Sequence, residues 1–532
     1  MKESILKNKR YLYITEFFSG MAVMAVELGA SRLLAPYFSS SQIVWTIIIG
    51  TIMIAMAVGN VWGGRSADRD PDPDRLYRRI LIAAVWIAMI PVVGKYIILG
   101  ISGLLVLTIS TNFLVIAAFL ACMVIFVYPL VLLGTVTPSL AKYTTDSLTD
   151  NGRIIGTLGA FNTIGSIIGT FLPTFVTIPA VGTAVTFLIF SGILLALGLV
   201  YFVSRKARKT LCAVSALIFC FAAVFGNSDS FAFWEKDLLY EGESVYNYLQ
   251  VKDTEDSVIF STNVLFGVQS IRMKDDSLTG MFYDYDLAGP AALNAASEPV
   301  SILMLGNGTG TFVSQCRRYF PESPVEAVEI DGKITKLAGT YFDYPQDVPT
   351  YTYDGRAYLS AVDRKYDVIV IDAYQDITIP FQMSSQEFFG LVRDHLSDDG
   401  VMVVNMNMRS REAGSINEYL EDTIASVFPD VYTVDVADST NREVYAVKGG
   451  ADFESKLRTA AVRLRDRPLS SLMGSITVTM QRYQGGTHIL TDDKAPVELL
   501  GIKMIDGIIG DELGYYKEII RQNGLPGLLD SE

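Results

Sequence analysis

The sequence predicts a multi-domain fold: an α-helical transmembrane bundle, then a small antiparallel β domain, then a Rossmann-like α/β domain. Apolar stretches of spanning length fill most of the first 228 residues, and apolar and polar residues alternate over 246–273. From residue 301, short apolar runs alternate with helix-length segments. We place the domain bounds at 1–228, 229–290 and 291–532, with a linker at the start of the second part.

Charge divides the 532-residue chain at the same place as hydropathy. Residues 1–229 hold 17 Lys and Arg against 10 Asp and Glu, a net charge of +7, and the remainder carries −21. An acidic surface favours cationic substrates and disfavours nucleic acid, so we expect no nucleic-acid partner. The four cysteines show no C-x-x-C spacing, and His395 and His488 lie in no ligand pattern, so we expect no metal site.

Six apolar stretches are long enough to cross the hydrocarbon core, which takes about 20 residues. They lie at about 11–36, 42–63, 80–108, 112–141, 154–179 and 183–204, and a shorter stretch follows at 211–226. Pro91 interrupts the third, which predicts one kinked helix or two short ones. Glu16 and Glu27 lie within the first and are functional candidates, because carboxylates are costly in lipid. The sequence therefore predicts a multi-pass protein of the cell (inner) membrane, with the lipid bilayer as a partner.

Two passages of this half resemble the N-terminal half of major facilitator transporters. Gly63-Gly-Arg-Ser-Ala-Asp68-Arg69 resembles the loop between their second and third helices, and Gly134-x-x-x-Pro138 begins a passage like the one joining their fourth and fifth. Only one six-helix half is present, so the resemblance implies half of a transporter.

The most informative stretch is 301–310, an apolar run that ends in Gly306, Gly308 and Gly310. A buried strand that turns sharply into a helix needs glycine where the backbone bends and where a ligand approaches it. Glu329 follows 19 residues after Gly310, where a carboxylate accepts hydrogen bonds from ribose hydroxyls. The G-x-G-x-G spacing lacks the third glycine of the dinucleotide pattern and favours an adenosyl ligand without a pyrophosphate.

Six apolar runs predict a doubly wound sheet, whose ligands bind at the carboxyl ends of the strands. The runs lie at 301–305, 325–330, 349–353, 367–371, 401–406 and 431–436. After the glycines, three more strand ends are polar: Glu329 with Asp331, Asp354 with Gly355, and Asp372 with Tyr374 and Asp376. The last run and 442–448 are close enough to pair antiparallel, which is typical of S-adenosylmethionine-dependent transferases.

From about Glu243 to Glu498 the chain resembles the spermidine synthases, and more closely the branch in which a transporter-like helical half precedes an aminopropyltransferase-like domain. The passages that carry the resemblance are Ser244-Val-Tyr246-Asn247, Gly267-Val-Gln269, Tyr283, Val328-Glu329-Ile-Asp331, Asp354-Gly355, Asp372 and Leu490-Thr-Asp492-Asp493-x-Ala-Pro496-Val-Glu498. The resemblance implies a class I S-adenosylmethionine-dependent transferase fold and a homodimer. It also implies transfer of a propylamine group from decarboxylated S-adenosylmethionine, or a related group from S-adenosylmethionine, to a small putrescine-like amine.

The resemblance and the strand-end positions together give three sets of site residues. The expected catalytic residues are Asp372, Tyr283 and Asp376. The expected cofactor-binding residues are Asn247, Gln269, Gly306, Gly308, Thr309, Gly310, Glu329, Asp331, Asp354 and Gly355. The expected substrate-binding residues are Asp284, Tyr374 and Tyr246. Within these sets the resemblance implies that Asp372 orients and deprotonates the attacking amine, and we expect Asp284 and Asp376 to bind its distal ammonium.

Three departures from the family pattern leave the acceptor open. Thr309 stands where the family's glycine loop has an aspartate that binds the amino group of decarboxylated S-adenosylmethionine, so an intact carboxylate on the cofactor also fits. Asp-Ser-x-Asp-Pro becomes Asp372-Ala-Tyr-Gln-Asp376, and no Tyr-Pro-Ser-Gly passage follows strand five. Two alternatives are therefore kept: a small-molecule methyltransferase, and a non-enzymatic adenosyl sensor that controls the membrane half.

The side of the membrane on which the acidic half lies is set by two opposing signals. Lys and Arg cluster before the first span, after the second and after the sixth, and this side is expected to be cytoplasmic. A full span at 211–226 would then place the acidic half outside the cell. S-adenosylmethionine is made inside, so we expect the catalytic domain on the cytoplasmic side.

Overall fold

The structure, a computed structural model, describes residues 9–504 except 39–40, 107–111, 145–150, 229, 265–266, 295–297, 375–378, 408–409, 411, 451 and 502. Contacts divide the chain into two compact units. The described part of the first lies within Met1–Trp234 and Glu241–Tyr248. That of the second lies within Glu235–Tyr240 and Leu249–Ile508.

The first unit is built mainly from long apolar helices. They are α1 Lys9–Phe38, α2 Gln42–Arg69, α3 Pro73–Val106, α4 Phe113–Gly134, α5 Val136–Thr144, α6 Asn151–Leu172, α7 Ile178–Ser204 and α8 Lys209–Phe225, with a π-helical turn at Pro173–Thr177. Among the described residues, five helical runs are long and apolar enough to cross a membrane. The last of them, Asn151–Ser204, joins α6 and α7 and contains Gly182 in a non-helical conformation.

The helix bounds show how two of the predicted apolar stretches fold. α3 continues through Pro91, so the described part of the 80–108 stretch forms one helix and not two. α8 has 17 residues, fewer than the other long helices, which matches the predicted shorter stretch at 211–226.

Small residues bring α1 and α6 into backbone contact. A Cβ added at Gly165 would lie 2.0 Å from the carbonyl oxygen of Phe17, and one at Gly169 would lie 2.2 Å from that of Met21. Close approach of helices at small residues is typical of membrane bundles. Glu16 of α1 is fully buried nearby, and its Oε1 accepts hydrogen bonds from Thr137 Oγ1 at 2.5 Å and Asn162 Nδ2 at 2.9 Å.

The predicted short antiparallel strands in 246–273 are confirmed. A four-stranded sheet has the order β1-β2-β3-β4, and β3 pairs antiparallel with both β2 and β4. Its strands are β1 Leu238–Glu243, β2 Tyr248–Asp253, β3 Ser257–Ser261 and β4 Ser270–Met273. Two short helices follow, α9 Phe282–Asp286 and α10 Ala288–Leu293.

The α/β part of the second unit is the predicted doubly wound sheet. Its strands are β5 Ile302–Leu305, β6 Val325–Glu329, β7 Thr350–Thr352, β8 Tyr366–Ile371, β9 Leu396–Met406, β10 Asp430–Asp435, β11 Arg442–Val447 and β12 Gln481–Arg482. The helices are α11 Thr311–Tyr319, α12 Gly332–Tyr341, α13 Gly355–Ala361, α14 Gln386–Asp394, α15 Ile416–Ala425, α16 Phe453–Arg463 and α17 Arg467–Thr479, with a 3₁₀ turn at Phe381–Met383.

The strand order of this sheet is β12-β10-β11-β9-β8-β5-β6-β7. The five strands β7, β6, β5, β8 and β9 are parallel, and β10 and β11 form the predicted antiparallel pair. Side chains of α9, α10, α16 and α17 form one hydrophobic layer on the sheet, and those of α13, α14 and α15 form the other. The order reverses between β5 and β8, so their carboxyl ends form the crevice in which such sheets bind ligands.

Candidate active site

The turn between β5 and α11 requires its glycines for backbone reasons. Gly306 and Gly308 have φ of 88° and 54°, a left-handed conformation that side chains with a Cβ adopt at a cost. A Cβ at Gly306 would lie 2.5 Å from the carbonyl oxygen of Asp372, and one at Gly308 would lie 2.4 Å from Ser270 Oγ. Gly310 also has a positive φ, of 90°. The backbone conformation and the close packing of the turn therefore explain the glycines without a ligand. Evidence for ligand binding has to come from the side chains around the turn.

Glu329 holds the turn in place at the end of β6. Its Oε2 accepts a hydrogen bond from the N–H of Gly308 at 2.8 Å, and its Oε1 accepts one from the N–H of Asp331 at 2.9 Å. Burial raises the pKa of Glu329 to about 7, although these backbone donors lower it. Each carboxylate oxygen can accept a further hydrogen bond, so ribose hydroxyls remain compatible partners.

Two of the predicted cofactor-binding acids cap helices. Asp331 Oδ1 accepts from the N–H of Lys333 at 2.9 Å at the start of α12, and its buried Oδ2 has no partner among the described residues. Asp354 Oδ1 accepts from the N–H of Ala357 at 2.8 Å at the start of α13. Capping fixes both side chains at the strand ends and uses one oxygen of each. Gly355 follows directly as the first residue of α13.

The glycine turn also contacts the small sheet. The N–H of Thr309 donates to Ser270 Oγ at 3.0 Å, and Thr309 Oγ1 is buried with no hydrogen-bond partner among the described residues. Gln269 precedes Ser270, and its N–H donates to the carbonyl oxygen of Phe260 at 2.9 Å. β4 thus lies beside the turn, as the predicted position of Gln269 near the cofactor requires.

Asp372 follows the last residue of β8 and remains partly exposed. Its Oδ1 accepts a hydrogen bond from Asn405 Nδ2 at 2.9 Å, and Asn405 Oδ1 accepts one from Asn441 Nδ2 at 2.8 Å. Burial raises the pKa of Asp372 to about 8, the hydrogen bond from Asn405 lowers it, and the charge of Glu329 raises it further. Sequence reasoning did not identify Asn405, although it lies at the end of a predicted strand.

Three neighbouring strands place polar side chains in one layer. Asn405 of β9 pairs with Glu443 of β11. Ile371 of β8 pairs with Val404 of β9, so the residues that follow them, Asp372 and Asn405, lie beside each other. Alternation along a strand puts these three side chains on one face. The next layer on that face is apolar and consists of Val370, Val403 and Tyr445. The polar layer is therefore confined to the edge of the sheet that holds the glycine turn.

Asp286, at the end of α9, joins this polar layer. Asp286 and Glu443 are fully buried with their carboxyls in hydrogen-bonding contact with each other, and the four oxygens have no other partner within the described part of the chain. Burial raises the pKa of both carboxyls well above the ordinary range, and the charge of Asp372 adds to the increase. Sequence reasoning identified neither acid: Asp286 lies at the end of a short helix and Glu443 near the start of a strand.

The other predicted catalytic and substrate residues have assigned contacts. Tyr283 is buried, and its hydroxyl donates to the carbonyl oxygen of Val268 at 3.4 Å. The hydroxyl of Tyr374 donates to the carbonyl oxygen of Met383 at 2.9 Å inside the second hydrophobic layer. Asp376 lies outside the described residues. The predicted roles of all three stay predictions.

Asp284 has a structural position that the sequence did not predict. Its Oδ1 accepts from the N–H of Thr279 at 3.1 Å, from Thr279 Oγ1 at 2.9 Å and from Gln315 Nε2 at 2.5 Å, and its Oδ2 accepts from the N–H of Gly280 at 2.7 Å. It is 2% exposed, so it is not a solvated loop acid. Four donors already surround its oxygens. These contacts fix the loop before α9, and the expected role of Asp284 in binding the distal ammonium stays a prediction.

Tyr246 and Asn247 belong to the first unit and form part of a tight turn. Ser244 Oγ accepts from the N–H of Tyr246 at 3.1 Å and from that of Asn247 at 2.9 Å, and the N–H of Ser244 donates to the carbonyl oxygen of Asn247 at 2.8 Å. Tyr246 is 48% exposed. Their expected ligand contacts stay predictions.

One group of potential metal ligands occurs elsewhere in the described chain. Glu418, Asp422 and His488 have ligand atoms within 4.8 Å of one another. Asp422 already accepts hydrogen bonds from Tyr483 Oη and from the N–H groups of Gly486 and His488. These contacts give the cluster a structural role in anchoring the segment after β12.

Comparison with known proteins identifies similar chains. The spermine/spermidine synthase domain family matches residues 281–439. A probable polyamine aminopropyl transferase from Bifidobacterium longum is 52% identical over 347 residues, which are 62% of this chain and 77% of that protein. A polyamine aminopropyltransferase from Vibrio vulnificus is 24% identical over 306 residues, 54% of this chain and 99% of that protein. Among solved structures, a probable spermidine synthase from Corynebacterium glutamicum is 18% identical, covers 47% of this chain and 98% of that chain, and has a TM-score of 0.37.

Proposed function

This chain belongs to the polyamine aminopropyltransferase family, and from that premise we propose that its second unit transfers an aminopropyl group from decarboxylated S-adenosylmethionine to an amine of the polyamine class. The products are methylthioadenosine and an amine longer by one aminopropyl group. Membership of the family makes the protein a transferase, and the residues below are our assignment.

The observation that carries the proposal is the pair of carboxylates on the two sides of the glycine turn. Glu329 accepts from the N–H of Gly308. On the other side, the N–H of Asp372 donates to the carbonyl oxygen of Leu305, one residue before Gly306. One acid therefore lies where a sugar can be held and the other where an amine can be oriented, with a ligand-sized backbone turn between them.

The reaction is a displacement at the carbon beside the sulfonium. The lone pair of the amine forms a bond to the propyl methylene, the C–S bond breaks with its electron pair going to sulfur, and a neutral thioether leaves. A protonated amine has no lone pair, so a base must first take its proton. We assign this role to Asp372, and general-base help of this kind contributes roughly 10²–10⁴ in rate. Fixing the two reactants in line contributes up to about 7–11 kcal/mol.

The adenosyl part of the donor is assigned to the other strand ends. We propose that Glu329 accepts from its ribose hydroxyls and that Asp354 accepts from the adenine amino group through the oxygen that does not cap α13. Asp331 and Gln269 border the same turn. The neutral, buried Thr309 is compatible with a donor that keeps its carboxylate, so both forms of the donor enter the test below.

The test is to incubate the purified full chain in detergent with decarboxylated or intact S-adenosylmethionine, with and without 1,4-diaminobutane, and to identify products by mass spectrometry. Methylthioadenosine together with an aminopropylated amine is the expected result. S-adenosylhomocysteine would show methyl transfer instead. Binding of the donor with no product from any amine would favour the adenosyl sensor.

We also propose that the helical unit anchors the enzyme in the membrane, with domain bounds near residues 228 and 290, and that the chain forms a homodimer. The five long apolar helical runs support the anchor. A tag at Glu532, probed in intact and in permeabilised cells, tests the side. Labelling only after permeabilisation is expected for a cytoplasmic catalytic unit.

A further inference from the structure

The segment 490–498 carries part of the family resemblance but none of the expected site residues. Within it, Asp492 forms a bidentate ion pair with Arg356: Oδ1 accepts from Nη1 at 2.7 Å, and Oδ2 accepts from Nη2 at 2.6 Å. Paired hydrogen bonds of this kind fix the orientation of both side chains as well as their distance. Arg356 lies two residues after Asp354, the proposed acceptor of the adenine amino group. The segment is therefore tied to the strand end that we assign to the base.

Arg356 also holds the 3₁₀ turn Phe381–Met383 in place. Its Nη1 donates to the carbonyl oxygen of Gln382 at 2.9 Å. The turn has a second contact at its last residue, because the hydroxyl of Tyr374 donates to the carbonyl oxygen of Met383 at 2.9 Å. The position of the turn is therefore set in part by a charged side chain of α13.

The turn packs against the residue that precedes Arg356. A Cβ added at Gly355 would lie 3.2 Å from the Cε of Met383 and 3.6 Å from the Cβ of Leu305, the last residue of β5. Met383 thus lies beside the strand ends at which we place the adenosyl group. A base that donates its amino group to Asp354 has to fit beside this methyl group, so the position of the turn affects how the base meets the carboxylate.

Asp492 connects Arg356 to a second element, α14. Its Oδ1 accepts from Ser385 Oγ at 2.5 Å, and its N–H donates to Glu387 Oε2 at 3.0 Å. Ser385 is the N-cap of α14. Without the carboxylate, the remaining hydrogen-bond partner of Arg356 among the described residues is the carbonyl oxygen of Gln382. A single neutral acceptor orients a guanidinium less strictly than a bidentate carboxylate does.

We propose that Arg356 and Asp492 are positioning residues for the adenine base of the donor. Their ion pair holds the turn Phe381–Met383 in the place at which Asp354 accepts the amino group of the base. Both residues act through the turn and do not touch the ligand. The inference rests on the proposed role of Asp354 in donor binding, and it adds the segment 490–498 to the parts of the chain that determine that role.

The experiment compares the binding of methylthioadenosine and methylthioinosine to the full chain in detergent by calorimetry. Methylthioinosine has a carbonyl oxygen in place of the amino group, so it has no such group to donate to Asp354. The wild type should bind methylthioadenosine about 10- to 100-fold more tightly, the range expected for a hydrogen bond to a charged group. Asp492→Asn and Arg356→Gln should each lower this ratio by about 3- to 10-fold, because the hydrogen bond is weakened but not removed.

A variant with both substitutions tests whether the two residues act as one contact. Because each single substitution breaks the same ion pair, the ratio in the double variant should be close to that in either single variant. Asp430→Asn is the matched control, since it removes an acid paired with another arginine, Arg482, on the opposite side of the sheet. It should leave the ratio unchanged.

Three results would overturn the inference. A wild type that binds both nucleosides equally would show that the amino group is not read. Equal losses of affinity for both nucleosides in the variants would show a structural role alone. Effects that add in the double variant would show that the two side chains act separately. The pair is partly exposed, so Tm of each variant should stay within about 3 °C of the wild type.

Turnover separates this inference from the transfer reaction. In Asp492→Asn, KM for the donor should rise by about 3- to 10-fold, whereas KM for 1,4-diaminobutane and kcat should stay the same. If the wild type makes no product but the nucleoside ratio falls as expected in the variants, the positioning role stands and the transfer reaction fails. If the wild type makes product and the ratio is unchanged in the variants, only the positioning role fails.

Discussion

The two acidic ends of the site are stabilised in different ways. Glu329 accepts hydrogen bonds from the backbone N–H groups of Gly308 and Asp331, so its carboxylate is held by the protein itself. Asp286 and Glu443 have no such donors among the described residues. The proposed donor end, at Glu329, is therefore held by backbone donors, whereas Asp286 and Glu443, beside Asp372 at the proposed acceptor end, contact each other through side chains alone.

This difference follows from the topology of the sheet. At β5 and β6 the parallel strands lead into helices, and backbone N–H groups of the two turns donate to the carboxylate of Glu329. At β9 and β11 the antiparallel ladder uses the backbone groups within the sheet, so only side chains reach the site. Backbone donors do not titrate, whereas the carboxyls of the acceptor end do.

The largest expected effect is loss of turnover in Asp372→Asn. Asparagine keeps the size of the side chain and an oxygen for the hydrogen bond from Asn405, but it cannot take a proton from the amine. We expect kcat to fall by about 10²–10⁴, measured as release of methylthioadenosine. Binding of methylthioadenosine, measured by calorimetry, should change by less than a few fold. Unchanged turnover would mean that Asp372 is not the base.

Glu329→Ala should mainly weaken binding of the adenosyl ligand, by about 10- to 100-fold. It also leaves the N–H groups of Gly308 and Asp331 without their acceptor, at a cost of about 1–3 kcal/mol for each buried donor. Calorimetry with methylthioadenosine and thermal melting separate the two effects.

Glu326→Ala is the matched control for this change. Glu326 lies on the same strand with its carboxylate bound to the hydroxyls of Tyr358 and Tyr366, away from the glycine turn. This variant should lower Tm and leave ligand affinity unchanged. Equal losses of affinity in the two variants would show that the ribose is not held by Glu329.

The donor end was predictable from the sequence, and the acceptor end was not. Strand ends with glycine and a following acid, such as Gly306 and Glu329, are local patterns that parallel sheets repeat. Glu443 lies beside Asn405 because β11 runs antiparallel to β9, so the start of β11 lies next to the end of β9. Its side chain enters the polar layer from the start of a strand, where a search of strand ends does not look. Sequence spacing shows the acid at Asp284 but not the donors around it, so its buried position in the loop before α9 could not be predicted.

Stability of the unliganded protein should fall as pH rises from about 4 to about 8. Burial raises the pKa of Glu329 from 4.5 to about 7 and that of Asp372 from 3.8 to about 8, so the folded protein binds more protons than the unfolded chain in this window. The free energy of unfolding that these two groups contribute is complete below their unfolded pKa values. It is lost as pH rises through their folded pKa values. Tm is therefore expected to be lower at pH 8.5 than at pH 5.

The variants sharpen this pH comparison. Asp372→Asn should reduce the decline in Tm over the window from about pH 4 to 8, and Glu329→Gln should reduce it only up to about pH 7. If Asp372 orients the amine as proposed, a saturating diamine should raise Tm more at pH 8.5 than at pH 5, because Asp372 is ionised only at the higher pH. If the variant with both substitutions shows the same decline in Tm as the wild type, the decline comes from the net charge of the chain instead.

The smallest expected effect concerns Asn405, which lies between Glu443 and the proposed base, Asp372. Its amide donates to Asp372 Oδ1 and stabilises the ionised carboxylate. Asn405→Leu keeps a similar volume but removes the donor, so the pKa of Asp372 should rise and the midpoint of the kcat–pH profile should move up by under about one unit. Asn441→Ala removes the contact behind Asn405 but leaves its donor in place, and should move the midpoint less. A shift to lower pH in Asn405→Leu would mean that the amide raises the pKa of the base, as it would if its oxygen faced Asp372.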